Sequence, residues 1–567
     1  MLTPLTLLLL VAVLFVGRGL LWIVNLLVIS PLFDPLRKLP GPTAPFFHSH
    51  IQRVVDPDFS ATQHEEWKKQ YGKTFRYHGS GKFDYRLMTF DLRAVSHILM
   101  SPIYEKPRVT RTFLSTMLGK GIFTTEGPEH TFQRKIIGPA FTLQSIKTLT
   151  PIFLRTAEEL RDKWDGIMSN GQENIDVCHW ISRATFDAFG MACLTYNFRA
   201  IHGETEELYL AFRRMFDLAD QKGILRILVP ILDKLWPDKI ARSVLESRQV
   251  IYTTGRKLIS EKKSTILAEK GHSKGSNEKD LLSLLIQSNI CNNDSAKSLS
   301  DPDLLDQISS FFFAGSDTTA MSLTWCLHFL ALHPDIQMRL REELSHPTTL
   351  RLGSSQSSSE ERAYDVLDSF PLLDSVVRET LRLAPPVHGT LRVATQNDLI
   401  PVSEPVILTD GTVVSPGEYI KIRKGSIIHI PIEGLNFAKD IWSEDTLEFR
   451  YGSLHCKNIG YSITHTVHSP DRWNSLPPAA QPPNFPGLAN LMTFSFGPSS
   501  CPGYRFTITE MKAFLSTILP QYTFSIPEGQ TIGKRNGLFT RPFVKGKSKM
   551  GVQLPLVVKR MDECKPL

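Results

Sequence analysis

The chain has 567 residues, of which 42% are hydrophobic and 21% are charged, and this composition is that of an ordinary globular protein. The net charge of +7 is modest for the length, and the sequence has no long basic run and no basic-aromatic alternation, so nucleic acid is not an expected partner. The 7 cysteines are scattered, odd in number and free of C-x-x-C spacing, which argues against a disulfide framework and a zinc site.

The N-terminal segment is different in character. Residues 5–29 are almost wholly apolar and long enough to cross a bilayer as a helix. A cleaved signal peptide is the rival interpretation, but the segment lacks a basic start and a small-residue cleavage site. Arg18 interrupts the apolar run, so a tilted or interfacial anchor is also open. Arg37 and Lys38 follow it, and positive charge on that side places the rest of the chain in the cytosol.

Residues 31–45 include the stiff sequence P-G-P, which predicts a Pro-rich hinge between an anchor at 1–30 and a catalytic body at 46–567. The body is rich in helix-like patterns, with short strand-like runs at 74–77 and 85–90 and no internal repeats. The sequence therefore predicts a mainly α protein with small β-sheets and an N-terminal membrane-anchor helix.

The first polar pair of interest is His130 and Arg134, in the sequence H-T-F-Q-R. On a helix these two residues lie one turn apart and share a face. Such a pair most often belongs to a solvated surface, so it predicts a site only together with other motifs.

The longest apolar helix pattern of the body spans about residues 302–333. It starts with Asp301 as the expected N-cap and Pro302 in the first turn, and it stops before His333 and the proline that follows. We expect this helix to be buried.

The centre of that helix carries the sequence A-G-S-D-T-T at 314–319, although glycine and threonine both disfavour helix. One explanation is a glycine needed for packing, with threonine hydroxyls bonded to the preceding turn. The other is that Gly315 leaves room for a flat ligand and O2, while Asp317 and Thr318 supply and gate protons. The helix alone leaves both open.

A further pair, Glu379 and Arg382, lies in a helix-like run at 372–383 that ends at two prolines. Residues three apart on a helix are neighbours and can form an ion pair. Arg392 follows in a strand-like sequence, and Arg472 follows in the sequence P-D-R-W.

Residues 451–469 have neither a helical nor a strand period and read as an insertion. Two explanations stay open, a translated unspliced intron and a surface loop. The triplet that starts at Asn293 matches a glycosylation sequon, which a cytosolic domain would leave unmodified.

The sequence F-S-F-G-P-S-S-C-P-G at 494–503 places Cys501 in a turn-rich loop before a helix-like stretch at 506–519. The glycines allow sharp turns and a close approach of the backbone. We expect the amides at the helix start to point at the sulfur and lower its pKa. The alternative is a small buried hydrophobe.

This loop resembles the haem-thiolate signature of the cytochrome P450 family, F-x-x-G-x-R-x-C-x-G, with Ser499 in place of the arginine. The A-G-S-D-T-T sequence is similar to the family's oxygen-activation motif at every position. The E-x-x-R pair and the H-x-x-x-R sequence follow the family's order, and the resemblance runs from residue 40 to about 560. The chain is identified as a cytochrome P450-like protein of the microsomal, fungal type.

The resemblance implies the cytochrome P450 fold, with Cys501 as the axial ligand of the iron of haem b. It assigns proton delivery to Asp317 and Thr318, and a brace for the thiolate loop to Glu379, Arg382 and Arg472. The residues that it places against the haem are His130, Arg134, Ala314, Gly315, Arg392, Phe494, Gly497, Cys501 and Gly503. Ser499 removes one expected contact with a haem propionate.

The resemblance also implies a monooxygenase of the EC 1.14 type that takes O2, and takes electrons from NADPH through a separate NADPH-cytochrome P450 reductase. It implies a single-pass protein of the endoplasmic reticulum membrane and a lipophilic substrate, such as a fungal terpenoid. The alternative is a haem-binding but catalytically impaired protein, either a retained-intron product or a sensor. The segments expected to contact substrate are 109–123, 202–240, 311–313, 387–390 and 538–540.

Overall fold

The structure is a computed structural model. It describes residues 29–45, 49–79, 81–171, 173–204, 206–219, 235–270, 280–291, 299–345, 360–444 and 475–561, and isolated positions at 13–24, 226, 233, 446, 472 and 473. The predicted insertion at 451–469, the sequon at Asn293 and most of the apolar segment 5–29 lie outside the described residues. No helix within the described part of the chain is both long and apolar enough to span a membrane.

The chain folds into two compact units. Met1–Pro107 and Gly389–Leu435 form the first, and Arg108–His388 and Asn436–Leu567 form the second. The secondary structure is mainly helical with small sheets, as the sequence predicts. The helices are α1 (Ser30–Leu32), α2 (Ile51–Val55), α3 (Pro57–Tyr71), α4 (Leu92–Met100), α5 (Arg108–Leu118), α6 (Gly127–Ile137), α7 (Leu143–Ser169), α8 (Val177–Leu194), α9 (Glu206–Ala219), α10 (Lys239–Lys270), α11 (Leu281–Cys291), α12 (Asp301–Leu332), α13 (Pro334–Leu344), α14 (Glu360–Asp368), α15 (Pro371–Leu383), α16 (Ile432–Asn436), α17 (Lys439–Trp442) and α18 (Tyr504–Ile518).

The strands are short. They are β1 (Thr74–His78), β2 (Tyr85–Thr89), β3 (Tyr104–Glu105), β4 (Asn174–Asp176), β5 (Thr390–Ala394), β6 (Asp398–Pro401), β7 (Val406–Ile407), β8 (Val413–Val414), β9 (Tyr419–Ile422), β10 (Ile427–Ile430), β11 (Tyr522–Ser525), β12 (Ile532–Asn536), β13 (Thr540–Val544) and β14 (Pro555–Arg560).

The first unit is built on a five-stranded sheet of order β1-β2-β10-β5-β3. Strands β1 and β2 are antiparallel, whereas β10 runs parallel to β2 and antiparallel to β5. The Pro-rich segment packs on this unit, because Leu36 and Leu39 are buried and the Arg76 amide donates to the Pro40 carbonyl at 2.9 Å.

The second unit has an aromatic core where α8 and α12 pack together. Phe186 and Phe189 of α8 lie 5.1 Å and 5.2 Å from the ring of Phe312 on α12. Helix α18, which follows the Cys501 loop, packs on α7 through Phe506 and Phe153, whose rings meet edge to face at 4.8 Å. This packing fixes α12, which carries Ala314–Thr318, and α18, which directly follows the Cys501 loop.

The long helix is one residue offset from its predicted bounds, and its predicted N-cap is wrong. Ser300 caps α12, since its hydroxyl accepts from the Asp303 amide at 3.3 Å and the Asp303 carboxylate accepts from the Ser300 amide at 3.0 Å. This reciprocal capping box satisfies two amides that the helix itself leaves unpaired. Asp301 lies instead in the first turn.

Candidate active site

The Cys501 loop is a tight turn that ends on α18. The Cys501 amide donates to the Phe494 carbonyl at 2.8 Å, which closes the loop. Gly497 has a φ of +72°, a left-handed conformation that favours glycine. Phe494 is buried and its ring lies 6.0 Å from that of Tyr504. The backbone and one ring therefore hold the loop in shape.

Gly503 donates its amide to the Cys501 sulfur. Its φ of −87° is ordinary, and a Cβ at this position would approach only Phe141, at 3.7 Å. Neither the backbone nor a crowded neighbour therefore requires glycine at 503.

The electrostatics of Cys501 bear on one prediction. Burial raises the pKa of its thiol to about 11, although the Gly503 amide and the charge of Arg134 both act to lower it. The Gly503 amide lowers the pKa as predicted, but the loss of solvation, which the sequence did not predict, outweighs one amide and one cation. A bound metal cation would deprotonate a coordinating thiol at this position.

Arg134 and His130 lie on α6 beside this loop. The Arg134 guanidinium donates to the Ser500 hydroxyl at 3.1 Å, and burial lowers its pKa while Cys501 opposes that change. His130 is buried one turn earlier. Helix α6 thus supplies a half-buried cation next to the thiol, which suits an anionic group such as a propionate.

Arg392 lies in the first unit, on β5. It is buried, and its guanidinium donates to the Thr390 hydroxyl at 2.7 Å and to the Leu391 carbonyl at 2.9 Å. Its place on a strand agrees with the sequence pattern.

Helix α12 is buried along most of its length but accessible in one place. Between residues 307 and 328, the half-exposed positions are Ala314, Gly315 and Thr318. These positions share one turn and one side of the helix. The accessible side of the helix therefore coincides with the A-G-S-D-T-T sequence.

At Gly315 the structure supports the packing explanation. A Cβ there would lie 1.9 Å from Cε2 of Phe189, so only glycine lets α8 come this close. The Thr318 hydroxyl donates to the Ala314 carbonyl at 2.5 Å, as the packing explanation also expects. Both features leave the turn accessible, so packing and ligand binding do not exclude each other here.

Asp317 forms a buried ion pair that the sequence does not predict. Its Oδ2 accepts from Nη2 of Arg541 on β13 at 2.9 Å, and the two side chains are 6% and 2% exposed. The residues are 224 positions apart, so no local pattern links them. Arg541 directly follows the segment 538–540, which was expected to contact substrate. This position next to a predicted substrate segment was the one sign in the sequence that Arg541 could lie near the site.

Three of the segments predicted to contact substrate meet in an aromatic cluster. The ring of Phe313 lies 6.0 Å from Phe123 and 5.1 Å from Phe539. Phe313 stands one turn before Asp317 on α12, so the cluster lies beside the acid. Much of 202–240 lies outside the described residues, and 387–390 divides between the two units.

The structure brings Glu379, Arg382 and Arg472 together. Arg382 donates two N–H groups to the Glu379 carboxylate at 2.8 Å and 2.9 Å, and both side chains are 0% exposed. Nε of Arg472 lies 3.9 Å from the same carboxylate, and the Trp473 indole donates to it at 3.1 Å. Trp473 was not predicted to join this cluster.

Further bonds join this cluster to the segment before the thiol loop. The Asn436 amide donates to the Arg382 carbonyl at 3.2 Å and to the Thr493 hydroxyl at 2.8 Å, and Thr493 donates to the Leu381 carbonyl at 2.7 Å. Thr493 directly precedes Phe494. The ion pair is therefore connected to the loop through hydrogen bonds.

These residues fit a haem. Cys501 is a partly accessible thiol, and Arg134 is a cation at its side. The hydroxyls of Thr319 and Thr507 lie 3.3 Å apart, so the accessible turn of α12 is tied to the helix that follows Cys501. A soft, partly accessible sulfur ligand with a cation beside it is a donor set that suits a thiolate-ligated haem and its propionate.

Comparison with known proteins identifies the family. The sequence model for "Cytochrome P450" matches residues 39–550. Cytochrome P450 monooxygenase 128 of Postia placenta is 35% identical over 554 residues, which cover 94% of this chain and 94% of that protein. The chain belongs to the cytochrome P450 family. It is therefore an oxidoreductase of the monooxygenase type.

Other relatives agree. Cytochrome P450 monooxygenase 205 of Postia placenta is 36% identical over 555 residues, or 95% of each chain. Cytochrome P450 monooxygenase claQ of Ampulloclitocybe clavipes is 28% identical over 547 residues, or 94% of each. The crystal structure of the cytochrome P450DA heme domain has a TM-score of 0.67 at 20% identity and covers 92% of this chain and 97% of that one, which shows the shared P450 fold.

Proposed function

We propose that this P450 inserts one oxygen atom from O2 into a lipophilic small molecule, with Cys501 as the ligand of a haem iron. The accessible turn of α12, where Ala314, Gly315 and Thr318 interrupt a buried helix beside Asp317, is the observation that carries the proposal. A bound haem-thiolate supplies the activation of O2. The protein supplies binding, orientation and protons.

Each side chain then has a stated task. Cys501 holds the iron, while Arg134 and His130 on α6, with Arg392, hold the propionates. The cluster around Glu379 and Arg382 braces the segment that leads into the loop. Phe494, Gly497 and Gly503 shape the loop itself.

Proton delivery falls to Asp317 and Thr318. Thr318 donates to the Ala314 carbonyl at 2.5 Å, so it must rotate away from that oxygen to donate into the accessible space. Asp317 is held by Arg541, which keeps the carboxylate in place within a buried environment. Arg541 therefore acts as a positioning residue for the acid.

The substrate is proposed to be lipophilic because Phe123, Phe313 and Phe539 form an apolar wall beside the acid. Such rings exclude water and leave few polar groups to orient the ligand. A terpenoid-like secondary metabolite, oxidised with electrons from NADPH-cytochrome P450 reductase, suits this wall.

The test is to express the full chain with that reductase and to record the reduced CO difference spectrum. We expect a Soret band at the thiolate position, lost in Cys501→Ser and kept in Cys178→Ala, which removes a buried thiol on α8. No haem in the wild-type protein would overturn the proposal.

Turnover is then tested with NADPH and terpenoid hydrocarbons, and mass spectrometry reports the gain of one oxygen. Loss of a positioned proton donor costs roughly 10²–10⁴-fold in rate, so Asp317→Asn should lower turnover by that order without loss of haem. Ser316→Ala is the matched control, because the Ser316 hydroxyl bonds the Phe312 carbonyl at 3.0 Å. Haem without turnover on any substrate would favour the impaired alternative.

We also propose that residues 1–30 anchor the protein to the endoplasmic reticulum membrane, followed by a hinge at 31–45 and the haem domain at 46–567. The apolar sequence of residues 5–29 supports this. Alkaline carbonate extraction of the full chain, compared with a chain that starts at residue 31, tests it. Equal extraction of both chains would contradict the anchor.

The insertion at 451–469 is either a loop or a retained intron. Sequencing of the transcript decides between them. A message that keeps the segment throughout would exclude the intron.

A further inference from the structure

The segment 119–125 after α5 lies directly on one face of α12. A Cβ at Gly119 would fall 1.9 Å from Oδ1 of Asp306, and one at Gly121 would fall 2.0 Å from Oγ of Ser310. Asp306 and Ser310 are one turn apart, and Phe313, under Phe123, continues the same face. The segment therefore follows the helix surface residue by residue and ends in the aromatic wall.

Asp306 is the main polar attachment of this segment. Its Oδ2 accepts from the Lys120 amide at 2.7 Å. One residue further along, Oε1 of Gln307 accepts from the Ile122 amide at 3.3 Å. A carboxylate that accepts a backbone amide makes a charge-assisted bond, which is stronger than the neutral amide contact beside it.

The same carboxylate is also held by α10. The Tyr252 hydroxyl donates to Oδ1 of Asp306, and Nη2 of Arg248 lies 3.9 Å from that oxygen. Arg248 also donates to the Tyr252 hydroxyl at 2.8 Å. Burial and the bond to Asp306 raise the pKa of Tyr252 to about 12, so the phenol stays a donor at neutral pH.

Asp306 thus joins segment 119–125, α10 and α12 through one carboxylate. Its side chain is 14% exposed, and Arg248 and Tyr252 border an open surface groove of about 400 Å³ along α10. Water therefore reaches the outer side of the cluster, and the inner side leads to Phe123. We call Asp306 with Lys120, Arg248 and Tyr252 the Asp306 clamp.

We propose that Asp306 is a positioning residue for the substrate pocket: it fastens segment 119–125 and α10 to α12, and so holds Phe123 in the pocket wall and limits the size of ligand that enters. This proposal rests on the haem-binding function proposed above. When the clamp opens, the segment keeps the weaker bond of its Ile122 amide to Gln307 and the bond of the Thr125 hydroxyl to Gln133 at 3.0 Å. Phe123, which lies between these two attachments, can then leave Phe313. Bulky ligands gain most from that movement, because small ligands already pass the closed wall.

Two variants and one control test the clamp in the full-length protein. Asp306→Asn removes the charge that both elements share, and Tyr252→Phe removes only the hydroxyl bond from α10 and leaves the longer contact with Arg248. Asp301→Asn is the matched control, because Asp301 pairs with Lys263 and so joins the same two helices without touching segment 119–125.

The first measurement is amide hydrogen exchange of a peptide that covers 119–125. Loss of a hydrogen bond to a charged group should speed exchange there by about tenfold in Asp306→Asn. We expect a smaller increase in Tyr252→Phe and none in Asp301→Asn. Unchanged exchange in both clamp variants would overturn the proposal, and this measurement needs no haem.

The second measurement uses two haem-ligating probes of different size, imidazole and 4-phenylimidazole, with association followed by stopped-flow absorbance. In both clamp variants, we expect the association rate of 4-phenylimidazole to rise several-fold more than that of imidazole. In the control, we expect both rates to change little and by the same factor. Equal changes for the two probes would overturn the role in the pocket. A wild-type protein that binds neither probe would instead disprove the haem function.

Discussion

Glu379 and Cys501 are both acidic groups of the second unit, but their surroundings differ. The Glu379 carboxylate receives two N–H groups from Arg382 at 2.8 Å and 2.9 Å and the Trp473 indole at 3.1 Å. The Cys501 sulfur receives the Gly503 amide and feels Arg134, yet burial still raises its pKa to about 11. The negative charge of the Glu379 carboxylate is compensated within the protein. A negative charge on the Cys501 sulfur would not be.

This difference distinguishes a residue with a structural role from a residue that can bind a metal. A buried ion pair with its hydrogen bonds satisfied needs nothing further, so Glu379 and Arg382 suit a brace. A buried thiol that the protein leaves protonated can become a ligand when a metal cation arrives. Glu510 on α18 shows the same tendency, since burial raises its pKa far above the ordinary value.

The largest expected effect comes from breaking the brace. Arg382→Ala leaves the buried Glu379 with the more distant Arg472 and the Trp473 indole as partners, which should lower the free energy of unfolding by about 3–5 kcal/mol. Urea unfolding measures it. The half-exposed pair Lys147–Asp365 is the control, where Lys147→Ala should cost under about 1 kcal/mol. An equal loss of unfolding free energy in the two variants would show that the buried Glu379–Arg382 pair stabilises the fold no more than a surface pair does.

Removal of Arg541 should be the next largest. Arg541→Gln leaves the Asp317 carboxylate without its cation, at a cost of about 3 kcal/mol, the lower end for buried pairs, since the adjacent turn is partly accessible. The double variant Arg541→Gln, Asp317→Asn should recover part of that stability. Thermal unfolding reports both, and no recovery would mean that the pair is not coupled.

A third prediction concerns a buried base with no compensating acid. Burial lowers the pKa of His328 on α12 to about 4. The unfolded chain binds a proton at this histidine below pH about 6.5, whereas the folded chain binds it only below pH about 4. The free energy of unfolding therefore falls as the pH drops through that window, by about 2 kcal/mol at pH about 4.5. His328→Gln should flatten the urea-unfolding profile there, and the exposed His202→Gln should not. An unchanged profile in His328→Gln would contradict this.

The smallest effect is expected at Ser499. Arginine at this half-buried position would add a cation beside the thiol loop, so Ser499→Arg should slow haem loss by about fivefold, the gain of one added charged contact. Transfer of haem to apomyoglobin measures the rate. Ser499→Gln is the control, because glutamine is similar in length but uncharged. Equal rates of haem loss from the two variants would show that the added charge does not contribute to haem retention.

Much of the fold and several site residues were predictable because their signals are local. Helix α12 was placed within one residue at each end, and α15 and α18 within two, because apolar periodicity and prolines mark them. The motifs around Cys501 and Thr318, taken in order, identified the family. The pairing of Glu379 with Arg382 follows from helical spacing alone.

Other features depend on burial and on contacts between distant segments. The N-cap at Ser300 was missed because two neighbouring residues both cap well. Nothing in the sequence joins Arg541 to Asp317, or Tyr252 and Lys120 to Asp306. The rise in the pKa of Cys501 also had no local sign, since desolvation depends on everything packed around the sulfur. The sequence by itself determined the family, the main helices and the candidate ligand, because short-range patterns encode them; the tertiary structure decided which charges are compensated, because that depends on what the fold brings together.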